Sequence, residues 1–338
     1  MKPELSRRKF LAASAALSTA ALAAGRLEAA PWKTTLHKAL IGTPDEARLK
    51  RMKAAGFEGI ESNDRDAIPE SAAAARKLAE GLGMRIHSVL YGWANFNKED
   101  SVAKDLASVE NALRACQAYG ADALLLVPCR IDARTASAPA NQKKKRAVNP
   151  NAPLMPEAWE FDIEFDERSG HVKRVVAGDN TPYQEYIKAH NHAVDTSREA
   201  VKKLIPVAEK TGVVIALENV WNNLWVKPVL AKNFVASFDH PMVRFYFDIG
   251  NHVKFAPPQE WIRTLGKLIV KCHVKDFQLE PDGHGGKFVD PRDGSIDWPA
   301  VRQQLDAVGY NGWLTIEGSQ QMPLDEQNRR LDLIIAGK

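Results

Sequence analysis

Eight short apolar segments, most of them followed by a segment with helical periodicity, constrain the fold of this chain more than any other feature. The apolar segments are HKALIG (37–42), GIESN (59–63), MRIHSVLYG (84–92), ADALLLVP (121–128), GVVIALENV (212–220), VRFYFDIGN (243–251), KLIVKCHVKD (267–276) and GWLTIEGS (312–319). Short continuous apolar runs are typical of strands buried on both faces, as in parallel sheets. The alternation predicts an α/β fold, a single (β/α)8 TIM barrel.

The segments between these strands predict helices at 44–55, in an alanine-rich stretch ending at about Leu82, and at 99–119, 183–210, 257–265, 298–308 and 323–336. Residues 132–182, after the fourth strand, break the rhythm and are predicted to be an insertion. Within it, FDIEFDERSGHVKRVV alternates around Ser169-Gly170 and predicts a hairpin. The run Lys143–Arg146 is interpreted as a solvated charge cluster, with a clamp for an anionic substrate as the alternative.

The amino-terminus predicts export. Ser6-Arg7-Arg8-Lys9-Phe10-Leu11 is a twin-arginine pattern, and an alanine-rich apolar stretch follows it to about Ala24. An ordinary amphipathic first helix is the alternative. Residues 1–30 are therefore expected to be a signal peptide, and 31–338 the barrel of a periplasmic or secreted protein. The apolar stretch is too short and too rich in alanine for a stable membrane anchor.

The charge balance argues against nucleic acid as a partner. The whole chain carries 46 Lys/Arg and 42 Asp/Glu, but residues 1–30 hold five of the basic and two of the acidic residues. The expected mature chain is therefore close to neutral and lacks the basic field that nucleic-acid binding requires. Cys116, Cys129 and Cys272 are too few for a disulfide framework, and Cys129 and Cys272 are expected to be buried free thiols.

Four side chains with metal-ligand chemistry lie at the ends of the last four predicted strands: Glu218, Asp248, His273 and Glu317. The carboxyl ends of parallel strands meet at one mouth of a barrel, so these residues are expected to converge there. Three carboxylates buried together without a cation would repel one another. The set predicts one divalent metal ion, with Mn²⁺ favoured and Mg²⁺, Co²⁺ or Zn²⁺ as alternatives.

Two glutamates in such a site suggest proton transfer beside a carbonyl. A cation that chelates a hydroxy-ketone acidifies the adjacent C–H and stabilises the enediolate. Glu218 and Glu317 would then remove and return the proton, which gives isomerisation or epimerisation of a sugar. With a leaving group in the β position, the same first step gives elimination.

Polar residues near the strand ends suit a polyol substrate. His252 and Lys275 are predicted to be further catalytic acid/base or oxyanion groups, and Trp221 or Trp225 to be an apolar wall for a sugar ring. The residues predicted to bind substrate are Glu61, His87, Asn219, Trp221 and Asn251. The alternative for each is support of a ligand or a loop.

The segments ALENVWN, YFDIGN, QEWIRTLGK, HVKDF and TIEGS resemble the sugar-phosphate isomerase/epimerase superfamily of xylose-isomerase-like TIM barrels. They are most similar to its hexulose-phosphate isomerase and xylulose-phosphate 3-epimerase branch. The resemblance implies one divalent metal on Glu218, Asp248, His273 and Glu317, with the two glutamates as acid and base. It also implies a small-molecule sugar as the partner; a homo-oligomer is left open.

Three features depart from that branch: the export signal, the insertion, and Asn251 where ketose epimerases often carry a histidine. They favour a non-phosphorylated or oxidised sugar, with metal-dependent elimination on 3-keto-glycosides as the alternative. Apurinic endonucleases share this fold but use a three-zinc cluster rich in histidine, which the second half of this chain does not match. A non-catalytic sugar-binding protein would need neither a metal nor paired glutamates.

Overall fold

The computed structural model describes residues 32–137, 149–319 and 321–338, and its central feature is a closed barrel of eight parallel strands. The strands are β1 (Leu36–Gly42), β2 (Gly59–Ser62), β3 (Arg85–Trp93), β4 (Ala123–Val127), β5 (Glu164–Phe165), β6 (Val172–Arg174), β7 (Val214–Glu218), β8 (Val243–Asp248), β9 (Ile269–Val274), β10 (Asp276–Leu279), β11 (Gly286–Val289) and β12 (Gly312–Ile316). Around the barrel they run β1-β2-β3-β4-β7-β8-β9-β12, which confirms the predicted TIM barrel.

Eight α-helices in the described residues follow the eight barrel strands. They are α1 (Glu46–Ala54), α2 (Pro69–Gly81), α3 (Glu99–Tyr119), α4 (Gln184–Thr211), α5 (Pro228–Ala236), α6 (Pro258–Leu265), α7 (Trp298–Ala307) and α8 (Leu324–Ile335). The sequence did not predict α5. This helix has nine residues, and five of them are buried apolar or proline side chains. Its short polar face leaves too little periodicity to distinguish it from a buried loop.

Local capping explains where several helices begin and end. The Asp45 carboxylate accepts a hydrogen bond from the Arg48 backbone N–H (2.8 Å), and Asp297 accepts one from the N–H of Ala300 (3.0 Å). Both are side-chain N-caps. Gly120 and Gly212 end α3 and α4 in the left-handed conformation, which glycine adopts without steric cost.

The described part of the insertion contains the predicted hairpin. β5 and β6 pair antiparallel, and Gly170 between them has a positive φ of 75°. The hairpin packs against α4, where Asn191 Oδ1 accepts from the Val172 N–H (2.8 Å) and Arg198 donates to the Ser169 carbonyl (2.8 Å). The charge run Lys143–Arg146 lies outside the described residues, as does the whole of the predicted signal peptide.

Residues Thr34–Lys338 form one compact unit. All three cysteines are buried free thiols, as expected for Cys129 and Cys272. Within the described ranges, no helix is both long and apolar enough to cross a membrane.

One irregularity in the barrel wall bears directly on the site. Ile60 pairs with Ile86 but Glu61 pairs with Ser88, so β3 contains one extra residue, His87, relative to β2. An extra residue of this kind is a β-bulge, and it changes which side chains face the barrel interior. As a result, His87 and Ser88 both make interior contacts.

Candidate active site

The four predicted ligand residues converge at the carboxyl end of the barrel. One ligand atom from each of Glu218, Asp248, His273 and Glu317 lies within 4.8 Å of the other three. Glu218 and Asp248 end β7 and β8, His273 lies in β9, and Glu317 directly follows β12. Two ligands on opposite sides of a divalent cation lie about 4–5 Å apart, since each bond is about 2.0–2.6 Å long. The cluster therefore has the dimensions of a single-cation site.

Glu61 fixes the orientation of the His273 ring. Its Oε2 lies 2.5 Å from His273 Nε2, and its Oε1 accepts a hydrogen bond from Ser88 Oγ (3.0 Å). Both Glu61 and His273 are fully buried. With Nε2 bound to Glu61, His273 Nδ1 faces the other carboxylates, 3.0 Å from Glu317 Oε2 and 3.4 Å from Glu218 Oε1. A carboxylate that holds the far nitrogen of a ligand histidine is a recurrent feature of metal sites.

Asp248 is anchored through one oxygen only. Its Oδ1 accepts hydrogen bonds from the N–H groups of Gly250 (2.8 Å) and Asn251 (2.7 Å). Its Oδ2 makes no hydrogen bond of good geometry, although the Lys275 ammonium lies 3.1 Å away. Oδ2 is therefore the oxygen of Asp248 that is available to the cluster.

Lys275 supplies the positive charge nearest the carboxylates. Its Nζ lies 2.8 Å from Glu317 Oε2 and 3.2 Å from Asn251 Oδ1. Burial alone would raise the pKa of Glu317, but His273 and Lys275 hold that pKa below its ordinary value. Glu317 is therefore ionised in this arrangement, as a general base must be.

For the other two carboxylates, neighbouring positive charge compensates the effect of burial only in part. Burial raises the pKa of Glu218 to about 7, and the charges of Glu317 and Asp248 add to the rise. Burial also raises the pKa of Asp248 to about 6, although Lys275 opposes that rise. Anionic groups in this position are costly unless a cation compensates them.

The residues present fit a divalent cation. His273 Nδ1 and Asp248 Oδ2 are buried polar atoms that make no hydrogen bond of good geometry, and both belong to the cluster. Buried polar atoms are seldom left unsatisfied in native proteins, because each carries a desolvation cost. Three carboxylate oxygens and one imidazole nitrogen suit Mn²⁺ or Mg²⁺ and also accommodate Zn²⁺.

Replacing Glu61 by Gln is expected to lower cation affinity about 10–100-fold, because the amide loses the charged contact that orients His273. Calorimetric titration of Mn²⁺ into chelator-treated protein measures this effect. The exposed Glu70 on α2 provides the matched control, and Glu70→Gln should bind Mn²⁺ like the wild type. Unchanged affinity in Glu61→Gln would remove Glu61 from the site.

Asn219 and Asn251, which were predicted to bind substrate, hydrogen-bond to the strand ends that carry the ligands. Asn219 is fully buried and bridges β7 to β8, since its Nδ2 donates to the Asp248 carbonyl (2.8 Å) and its Oδ1 accepts from the Asp248 N–H (2.8 Å). Asn251 donates to the Asn219 carbonyl (2.9 Å) and contacts Lys275. Both amides thus hold the ends of the ligand-bearing strands in place.

Glu61 and His87 were predicted to bind substrate, but both side chains are fully buried, and Glu61 contacts the ligand residue His273. His87 is fully buried, stacks on Trp313 and contacts Thr315 Oγ1 (3.0 Å). Burial lowers the pKa of His87 well below its ordinary value, so the ring is neutral. The bulge in β3 turns His87 and Ser88 inward, and sequence periodicity does not reveal such a bulge.

His252 is also buried rather than at the mouth. Its ring packs against Phe255 and Trp261, and its Nδ1 lies 3.3 Å from Asn219 Nδ2. Burial, followed by the charge of Lys254, lowers the pKa of His252 to about 3. A neutral ring in this apolar setting supports Asn219 and does not contact the ligand cluster directly.

Aromatic rings form one wall of the mouth. Trp221 is 36 % exposed, its Nε1 donates to the Asn251 carbonyl, and its ring centroid lies 5.0 Å from that of Phe288. Phe288 lines a cavity of about 440 Å³ together with Lys275 and Glu317. Trp225, the alternative wall residue, is only 1 % exposed and packs against Phe234 and Phe245, which corrects that interpretation.

Sequence reasoning did not identify Phe288. It lies on β11 in the glycine-rich segment after β9, where it pairs with Phe277 of β10. Asp276 anchors this segment by accepting hydrogen bonds from the Phe277 N–H (2.8 Å), the Arg292 N–H (2.9 Å) and Trp298 Nε1 (2.9 Å). The segment is therefore a fastened hairpin, although its composition resembles a plain connection.

Comparisons with known proteins agree with this architecture. The profile of the family described as "Xylose isomerase-like TIM barrel" matches residues 49–332. A D-tagatose 3-epimerase-like protein is 14% identical, with 89% of this chain and 97% of that chain covered and a TM-score of 0.64. The 3-keto-D-glucoside 4-epimerase from E. coli, in its apo form, is also 14% identical, with 89% of this chain and 100% of that chain covered and a TM-score of 0.61.

A third similar structure, described as an IOLI protein with a binding zinc atom, is 15% identical, covers 89% of this chain and 98% of that chain, and has a TM-score of 0.60. At these identities the likeness concerns the fold. No curated protein matches the chain.

Proposed function

This chain belongs to the family of xylose isomerase-like TIM barrels, and we propose that it is a divalent-metal-dependent sugar isomerase or epimerase. The observation that carries the proposal is the cluster of Glu218, Asp248, His273 and Glu317 at the mouth of the barrel. Two solved structures of similar fold are a sugar epimerase and an epimerase-like protein. They support this reaction class for the present chain.

The cation would be held by these four side chains, with Mn²⁺ favoured. When bound, it would polarise the carbonyl of a chelated hydroxy-ketone and stabilise the enediolate left by deprotonation. Glu61 keeps His273 Nδ1 turned towards the cluster, and the backbone N–H groups of Gly250 and Asn251 keep Asp248 in place. Such preorganised ligands do not have to rearrange during the reaction.

Glu218 and Glu317 are proposed as the acid/base pair. Two strands, β8 and β9, separate β7 from β12 around the barrel, so the two glutamates approach the substrate from different sides. Glu317 is ionised, and its side chain is 35 % exposed in the cavity lined by Phe288. It would take the proton next to the carbonyl, and Glu218 would return a proton on the same or the opposite face.

Lys275 gives a reason to keep elimination as the second candidate. Its ammonium lies 2.8 Å from Glu317 and lines the same cavity. An ammonium in that position is able to protonate a leaving oxygen in the β position after Glu317 has taken the α proton. On a 3-keto-glycoside this sequence gives β-elimination, whereas without a leaving group it gives epimerisation or isomerisation.

Hydrogen exchange with solvent tests the shared first step. Protein loaded with Mn²⁺ would be incubated in D2O with a panel of ketoses and 3-keto-glycosides and followed by proton NMR. The expected result is deuterium on the carbon beside the carbonyl of the substrate, with epimer, isomer or alkene as the product. Turnover without exchange would instead indicate a hydride shift, in which the hydrogen passes directly from one carbon to the next.

The twin-arginine pattern further supports export of a folded precursor, with action on non-phosphorylated or oxidised sugars outside the cytoplasm. Replacing Arg7 and Arg8 together by Lys should leave the precursor in the cytoplasm. Fractionation of cells, followed by immunoblotting, measures this. Normal delivery to the periplasm in a strain without a functional twin-arginine pathway would contradict export by this route.

A further inference from the structure

A larger cavity adjoins the ligand cluster on the side of β1. It has a volume of about 880 Å³ and lies between the ends of β1 and β12, α1 and the start of α8. Glu317 and Gly318 line both this cavity and the one that contains Phe288, so the two meet at the proposed base. Its titratable lining side chains are Glu317, Arg48 and Arg51. Since the Lys275 ammonium already pairs with Glu317 (2.8 Å), the two guanidinium groups make this cavity (the cleft) positive.

Neither arginine has a carboxylate partner among the described residues. Glu46, the acidic residue in the first turn of α1, pairs with Lys50 instead (2.6 Å). The carboxylate of Asp45 caps the backbone of α1. Arg48 Nε is buried without a hydrogen-bond partner, which is costly for a charged donor. An anion in the cleft would satisfy this donor.

Gly42 allows Arg48 to reach this position. A Cβ at residue 42 would lie 2.5 Å from Arg48 Nη1 and 2.9 Å from Cζ, so the guanidinium lies directly on the end of β1. β1 pairs with β12 in a register that places Leu40 opposite Ile316, the residue before Glu317. The guanidinium and the proposed base therefore enter the cleft from neighbouring strand ends.

We propose that Arg48 and Arg51 bind an anionic group of the substrate, a carboxylate or a phosphate, while the carbonyl end of the same molecule lies at Glu317. A carboxylate agrees with the oxidised sugar proposed above, whereas a phosphate would contradict the choice of a non-phosphorylated sugar. A planar guanidinium group binds two oxygens of a carboxylate or of a phosphate through paired hydrogen bonds. The location of the carbonyl rests on the proposed function. The binding of the anion does not, and it is measurable without turnover.

Calorimetric titration of chelator-treated full-length protein tests the proposal, because anions then have no metal ion to bind. The probes are D-fructose, D-fructuronate and D-fructose 6-phosphate, which differ in the presence and type of charge. Wild-type protein should prefer at least one charged sugar over fructose by about tenfold or more, and added salt should reduce that preference. The stronger charged ligand identifies the carboxylate or the phosphate as the group bound.

Three variants assign the preference to the cleft. It should be lost in the Arg48→Gln/Arg51→Gln double variant and reduced in Gly42→Ala, which displaces the Arg48 guanidinium without removing it. Gly42 has no positive φ, so alanine is compatible with its backbone. Arg263→Gln, an exposed position on α6, is the matched control and should retain the preference.

Equal binding of charged and neutral sugars, no binding of either, or a preference that survives the double variant would overturn the proposal. If the protein prefers charged sugars but exchanges no hydrogen of any sugar with solvent, the anion site stands and the proposed reaction is wrong. If sugars exchange hydrogen with solvent but charged and neutral sugars bind equally, the proposed reaction stands and the anion site is wrong.

Discussion

Glu317→Gln is expected to lower turnover by a factor of about 10²–10⁴, the usual contribution of a general base. The amide keeps the size of the side chain and one oxygen able to bind a cation, but it cannot accept the substrate proton. Deuterium exchange should fall with turnover, because both require removal of that proton. Steady-state kinetics and proton NMR on the same sample measure the two effects.

The cation should stay largely bound in Glu317→Gln, since Glu218, Asp248 and His273 remain. Elemental analysis alongside the kinetics separates loss of the base from loss of the cation. The exposed Glu70→Gln variant should keep full activity. A fully active Glu317→Gln enzyme would reduce Glu317 to a ligand and leave Glu218 or Lys275 as the base.

Asp248→Asn is expected to abolish the stabilisation of the fold by a cation. Its Oδ1 can still accept from the N–H groups of Gly250 and Asn251, but an NH2 group replaces the ligating Oδ2. At about 100 times its dissociation constant, Mn²⁺ should add about 2.7 kcal/mol to the free energy of unfolding of the wild type. Urea denaturation with and without Mn²⁺ should show this gain in the wild type and none in the variant.

The free energy of unfolding without cation should change little in Asp248→Asn, because the variant also removes a buried negative charge. Asp100→Asn, at an exposed position in the first turn of α3, serves as the control and should keep the full gain from Mn²⁺. An equal gain in Asp248→Asn would show that Asp248 does not bind the cation.

The sequence predicted the barrel and the ligand cluster for the same reason. Strands buried on both faces leave continuous apolar runs, and the first polar residue after each run is where the strand reaches the mouth. Glu218, Asp248 and Glu317 occupy that position, and His273 lies one residue before the end of β9. Their convergence needs only the topology of the barrel.

Roles that depend on side-chain direction were not predictable in this way. Glu61 lies close enough to the mouth to be taken for a substrate ligand, but its contact with His273 depends on the packing of β2 against a bulged β3. His252 follows Asp248 closely in sequence, yet its ring packs on Trp261. A shift of one residue in strand register decides whether a side chain faces the site or the packed interior, and the pattern of apolar residues does not determine that shift.

Residues that enter the site from outside the barrel strands were missed altogether. Phe288 reaches the mouth because Asp276 fastens the hairpin that carries it. Arg48 reaches the cleft because Gly42 has no side chain. On α1, Arg48 and Arg51 have the appearance of ordinary solvated charges, since only the tertiary structure shows that they line a cavity with Glu317.

The most direct test of the account is a crystal structure of the full-length protein soaked with Mn²⁺, with anomalous differences to locate the ion. The expected result is one Mn²⁺ within about 2.0–2.6 Å of His273 Nδ1 and of carboxylate oxygens of Glu218, Asp248 and Glu317. A manganese peak elsewhere, or these side chains more than about 4 Å from a common centre in a metal-replete crystal, would contradict the account.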